Sequence, residues 1–128
     1  MDYKIIYTDS TDLLVVTTDG RMNADDFIAM AKDLLRHPQC LRNGNVIFDH
    51  TALEFNDVPI DDLQKIRAFH VRNEVRIGNG KSAIIVKAGL SQEWHKLWSQ
   101  GKKIETSNKV QIFENCDDVI QWIKEATN

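Results

Sequence analysis

Asp49, His50 and Thr51 stand in a row after the apolar run Val46-Ile47-Phe48. A carboxylate, an imidazole and a hydroxyl are the groups from which acid–base and nucleophilic catalysis are built, so one reading of the triplet is an enzyme of unspecified type. Neighbours in an extended segment point to opposite sides, however. Asp49 and Thr51 then share a face while His50 turns away, which spoils a simple acid–base pair. Asp49 and Thr51 equally suit hydrogen bonds to nearby amides. His37 and Cys40 are spaced for a metal, but no second ligand pair follows, and the two cysteines, Cys40 and Cys116, lie too far apart in sequence for a Cys-x-x-Cys pair. No Gly-rich phosphate loop or nucleophile elbow is present, since Gly78-Asn79-Gly80 leads into a strand rather than a helix. No metal and no cofactor are expected.

Two further groups suit binding rather than catalysis. Trp94 and Trp98 are four residues apart and accompanied by Leu90 and Leu97, and such a stripe makes either an apolar ligand or membrane surface, or plain core. Lys65, Arg72 and Arg76 gather around Phe69 in helical projection, a face for an anionic lipid head group or an acidic partner segment, or simply a solvated edge. His70, among Leu63, Ile66 and Phe69, reads as a hydrogen-bonded core histidine.

The elements that must position these residues follow from periodicity. With 128 residues, 42% apolar and 27% charged, the chain fits one soluble domain spanning 1–128. Tyr3–Thr8 and Leu13–Thr18 are β-prone runs around the turn-rich Asp9-Ser10-Thr11-Asp12, an opening hairpin. Asn23 caps a helix bearing Ala24, Phe27, Ile28, Ala31, Leu34 and Leu35, which stops at His37 before Pro38. Val46-Ile47-Phe48 is a short buried strand that Asp49 ends. Beyond a loop, Pro59 opens a helix whose buried face is Ile60, Leu63, Ile66 and His70 and which runs toward Arg76. Ser82–Val86, the Trp94 helix, Val110–Phe113 and a last helix capped by Asn115 and carrying Val119, Ile120, Trp122 and Ile123 complete the order ββαβαβαβα. Strands separated by helices imply parallel crossovers, hence an α/β fold with a five-stranded mixed sheet and about four helices.

Charge narrows the partners. Lys and Arg number 16 against 19 Asp and Glu, a net −3 that argues against nucleic acid. Residues 1–64 carry 5 Lys/Arg and 12 Asp/Glu, residues 65–128 carry 11 and 7, so the two halves attract each other. Apolar runs such as Ala83-Ile84-Ile85-Val86 are far too short to cross a bilayer and residues 1–12 lack a secretion pattern, so a cytoplasmic location is expected.

Taken together, the element order, Val46-Ile47-Phe48-Asp49-His50-Thr51, Lys81-Ser82-Ala83-Ile84-Ile85-Val86, and Phe113 followed by Val119-Ile120-Gln121-Trp122-Ile123 resemble the STAS domain, named for sulphate transporters and anti-sigma-factor antagonists, and within it the SpoIIAA-like branch. The resemblance spans nearly the whole chain. In the antagonists a serine or threonine follows an aspartate at the start of the helix after the third strand and is phosphorylated by a partner kinase, where free N–H groups meet the added charge. The matching stretch here is Phe55-Asn56-Asp57-Val58-Pro59, which keeps the aspartate and lacks the acceptor hydroxyl. The resemblance implies a small bacterial protein without an assigned reaction, similar in fold to lipid-carrying SEC14-like domains.

The expectation that results is a non-enzymatic binding or regulatory module, recognising a partner protein or a small apolar ligand through Asp49, Thr51, Phe55, Asp57, Val58, Trp94 and Trp98, with Lys65, Arg72 and Arg76 touching an anionic group. Alternatives are a lipid-binding or peripheral membrane protein and an enzyme using Asp49, His50 and Thr51. Open sheet edges leave room for a homodimer.

Overall fold

The computed structural model describes residues 1–99 and 108–125, the side chains of 98 and 99 excepted. Strands β1 (Asp2–Thr8) and β2 (Leu13–Arg21) pair as an antiparallel hairpin, with Tyr3 opposite Thr18 and Ile5 opposite Val16. Strands β3 (Val46–Glu54), β4 (Lys81–Ile85) and β5 (Lys109–Phe113) then add in parallel, in chain order. When parallel strands add in one direction, right-handed crossovers put every connecting helix on the same face. That is the arrangement found. Helices α1 (Ala24–Arg36), α2 (Ile60–Arg72) and α4 (Ser91–Ser99) share one face, burying Met30, Leu34, Leu63, Ile66, Trp94 and Leu97 against Val16, Val46 and Val86. The opposite face is covered by α5 (Val119–Lys124), which buries Val119 and Ile123 on Leu13, Ile47, Ala83 and Ile85.

Local chemistry sets the helix ends. The Asn23 side chain accepts from the Asp26 amide at 2.9 Å, and the Ala24 amide donates to Asp62 at 3.1 Å, so two amides at the start of α1 are satisfied and α1 is tied to α2. Asn23 and the terminal ammonium hold the Asp26 carboxyl below its usual range. α1 ends at His37, ahead of Pro38, as expected. The expected run of α2 to Arg76 is broken at Asn73, whose side chain donates back to the Phe69 carbonyl at 2.8 Å and competes with the helical ladder; the short α3 (Glu74–Ile77) follows, making five described helices. Ile60 is 48% exposed rather than buried; Leu63, Ile66, Arg67 and Phe69 form the inner face of α2. Asn115 does not cap the last helix. Its carboxamide accepts from the Asp117 amide in a turn upstream, and the cap position is Asp118.

α5 is pinned by a residue of the sheet. Lys81 is buried, its ammonium donates to the carbonyls of Trp122 at 2.6 Å and Glu125 at 2.8 Å, and it lies over the Trp122 ring. A cation at the carbonyls of a helix end complements the negative end of the helix dipole, and here it gives the Trp122 carbonyl a charged donor beside the longer bond from the Glu125 amide at 3.3 Å.

Candidate functional site

Asp49 does not end β3. The strand continues to Glu54, and the register with β2 moves from Thr17 opposite Asp49 to Asp19 opposite Ala52, so β3 holds one extra residue there. This β-bulge is built by the triplet itself: Asp49 Oδ1 accepts from the Thr51 amide at 3.1 Å and from the Thr51 hydroxyl at 2.7 Å. It also changes which side chains face inward. Before the bulge Val46, Phe48 and His50 point to the helix face; after it Leu53 and Phe55 do.

His50 is therefore separated from its sequence neighbours. It is 1% exposed, its Nδ1 lies 2.7 Å from the Thr18 hydroxyl, and its ring is walled by Trp94, Phe48 and Phe27 at centroid distances of 5.3, 5.7 and 6.0 Å. Burial pushes its pKa down to about 4. Asp49 lies on the α5 face, beside Ile47 and Ile85. The three groups do not converge on a shared point, and the triplet has no geometry for acid–base work.

The expected apolar surface around residues 55–58 is corrected in the same way. Phe55 is 4% exposed and meets Trp94 edge-on at 5.2 Å, because the bulge turns it into the core; Val58 is half-buried against the same cluster. Asp57 is exposed with φ of 59°, and Pro59 occupies the cap position of α2 without a side-chain cap bond. Trp94 is 2% exposed and stacked on His50, so it is core rather than a ligand or membrane contact. The Trp98 side chain lies outside the described residues.

Of the three expected anion contacts, Arg76 is a structural tie. Its guanidinium donates to the Leu35 carbonyl at 2.7 Å and the Cys40 carbonyl at 2.6 Å, fastening α3 to the end of α1. Lys65 is exposed and does not line the groove beside Phe69; Arg72 does. That groove, about 510 Å³, runs between α1 and α2 and is lined by Lys32, Leu35, Arg36, Phe69, Arg72 and Asn73. Sequence reasoning misses Lys32 and Arg36. Their signal is the four-residue spacing in the last turns of α1, and their meeting with Arg72 depends on how two helices distant in sequence pack. Three cations, Lys32, Arg36 and Arg72, line it together with Leu35 and Phe69, and no carboxylate is in the lining.

A second cavity, about 220 Å³, lies on the other sheet face under the start of α5. It is lined by the aliphatic side chains of Val15, Ile47, Ile85, Val119 and Ile120, with Asp49 and the Cys116 thiol as its polar groups. Among the described residues no group of three His, Cys, Asp or Glu side chains could hold a metal ion, and no helix is long and apolar enough to cross a membrane.

No family model matches the chain, and neither does any curated protein. Among solved structures it is similar to an uncharacterised protein of the DUF3478 family from Shewanella loihica PV-4, described as having a SpoIIAA-like fold, with 17% identity and a TM-score of 0.62 over 95% of this chain and 92% of that one. This likeness supports the fold implied by the sequence resemblance: an α/β, SpoIIAA-like arrangement of a five-stranded mixed sheet and several helices.

Proposed function

With a SpoIIAA-like fold as the frame, we propose that the protein is a non-enzymatic binding module that docks an acidic, apolar-bearing segment of a partner protein in the α1–α2 groove. The observation that carries this reading is the convergence of Lys32 and Arg36 from one helix with Arg72 from the next around Phe69. Arg36 and Arg72 also complement the negative ends of their helices. That local role does not account for Lys32 or for the apolar floor. The separation of His50 from Asp49 and Thr51 supports the non-enzymatic half of the proposal.

The test is fluorescence anisotropy with labelled peptides that alternate Glu and Leu, against matched peptides with Lys for Glu. The acidic set binds the wild type with strong salt dependence, and the double variant Arg36→Glu, Arg72→Glu weakens it at least tenfold while keeping its circular dichroism spectrum. Equal binding of the basic set, or an unaffected double variant, refutes the reading. A lipid head group is the competing occupant of the same cations; flotation with phosphatidylglycerol vesicles that depends on Arg36 and Arg72, without peptide binding, would replace the protein partner by a membrane surface.

A further inference from the structure

The cavity on the α5 face has a different chemistry from the groove and sits across the sheet from it. Five aliphatic side chains from β2, β3, β4 and α5 form its walls, and one carboxylate, Asp49, stands among them. That carboxylate is half satisfied. Oδ1 accepts both hydrogen bonds from Thr51, which fixes the plane of the group, and Oδ2 accepts none from any described residue. No Lys or Arg lines the cavity, so the charge has no counter-ion there. The bulge is what aims it: the extra residue between Asp49 and Ala52 lets Thr51 hold Asp49 from behind while the strand continues. The position is also the carboxyl end of the region where β3 pairs with β4, the edge at which parallel sheets bind ligands.

From this geometry we propose that the cavity is a binding site for an aliphatic ammonium group, the alkyl chain lying against Ile47 and Ile85 and the ammonium donating to Asp49 Oδ2. A charge-assisted hydrogen bond to a preoriented carboxylate supplies the polar half of recognition, and burial of the chain supplies the other. An alkyl carboxylate of the same length is rejected by Asp49, and an alkanol forms only a neutral hydrogen bond. The chemistry is that of a free small amine and equally of a lysine side chain presented by a peptide. It is independent of the groove between α1 and α2, and either site stands if the other fails.

The experiment is an NMR titration following the δ-methyl groups of Ile47, Ile85 and Ile120. n-Pentylammonium shifts all three saturably, pentanoate shifts none, and Asp49→Asn, which keeps an acceptor for Thr51, weakens n-pentylammonium at least tenfold. Val15→Phe, which fills the cavity from β2, abolishes the shifts and guards against a folding defect in the first variant. Nα-acetyl-lysine N-methylamide distinguishes the sources: binding at least as tight as n-pentylammonium assigns the site to a partner's lysine, and weaker binding assigns it to a free amine. Absence of shifts with n-pentylammonium, undiminished binding to Asp49→Asn, or equal binding of pentanol overturns the proposal.

Discussion

Nδ1 of His50 lies 2.7 Å from the Thr18 hydroxyl, and the two residues, 32 positions apart, meet in the buried seam where β3 bulges away from β2. The contact gives a titratable ring a polar partner inside a wall of aromatic side chains.

Acid should therefore weaken the fold through this ring. Burial lowers the His50 pKa to about 4, opposed in part by the Asp49 charge, and burial also lowers that of His70, opposed by Glu74. The unfolded chain takes up a proton on His50 near its ordinary value, so the stability it contributes is complete above that value and is lost as pH falls toward 4. Each pH unit between the unfolded and the folded value is worth about 1.4 kcal/mol, and the loss reaches about 3 kcal/mol. Urea unfolding across this window should show a steep decline in the wild type and a flatter one in His50→Gln; parallel profiles would exclude His50 as the source.

Removing the pin under α5 should loosen that helix before the rest. Lys81→Met leaves the Trp122 and Glu125 carbonyls without their charged donor, a loss of about 1.5–3 kcal/mol. Hydrogen exchange should rise in 119–124 with little change in β2 and β3. Uniform exchange across all of these elements would contradict the pinning role.

Trp94 and Phe55 should behave as core. Phe55→Ala opens a cavity beside a buried indole and costs about 3–5 kcal/mol, and Trp94→Ala falls in the same range. Loss of ligand binding with unchanged stability in either variant would return them to the surface. Denaturant melts decide the matter directly.

A tight passage between loops offers a fourth check. A Cβ on Gly80 would collide with the backbone carbonyl of Gly44, and one on Gly78, at φ of 77°, with the Asn43 side chain. Gly80→Ala should destabilise by about 1–3 kcal/mol, seen as a lowered melting temperature. A melt like that of the wild type would mean the two loops separate freely.

Much of the frame was legible because local signals agreed. Asn23 marks the start of α1, Pro38 its end, and the β-prone run Leu13–Thr18 the second strand of the opening hairpin. The site was less legible for a physical reason. A bulge adds one residue and inverts the alternation beyond it, so Phe55, which reads as a loop aromatic near Asp57, is turned inward by an event at Asp49–Thr51. Thr18 as the partner of His50, and Lys32 with Arg36 as partners of Arg72, are relations between distant segments that no local period encodes. Arg76 had the right charge and place for an anion contact, yet the carbonyls of Leu35 and Cys40 reach it first.

The order β1-β2-β3-β4-β5 means that each strand after the first joins one that has already left the ribosome. Such a sheet can grow outward from its hairpin during synthesis, with each neighbour serving as template for the next. The side roofed by α5 is then the late step of assembly, and until Val119 and Ile123 arrive, Leu13, Ile47, Ala83 and Ile85 form an oily surface on the nascent chain that a ribosome-bound chaperone would be expected to shield.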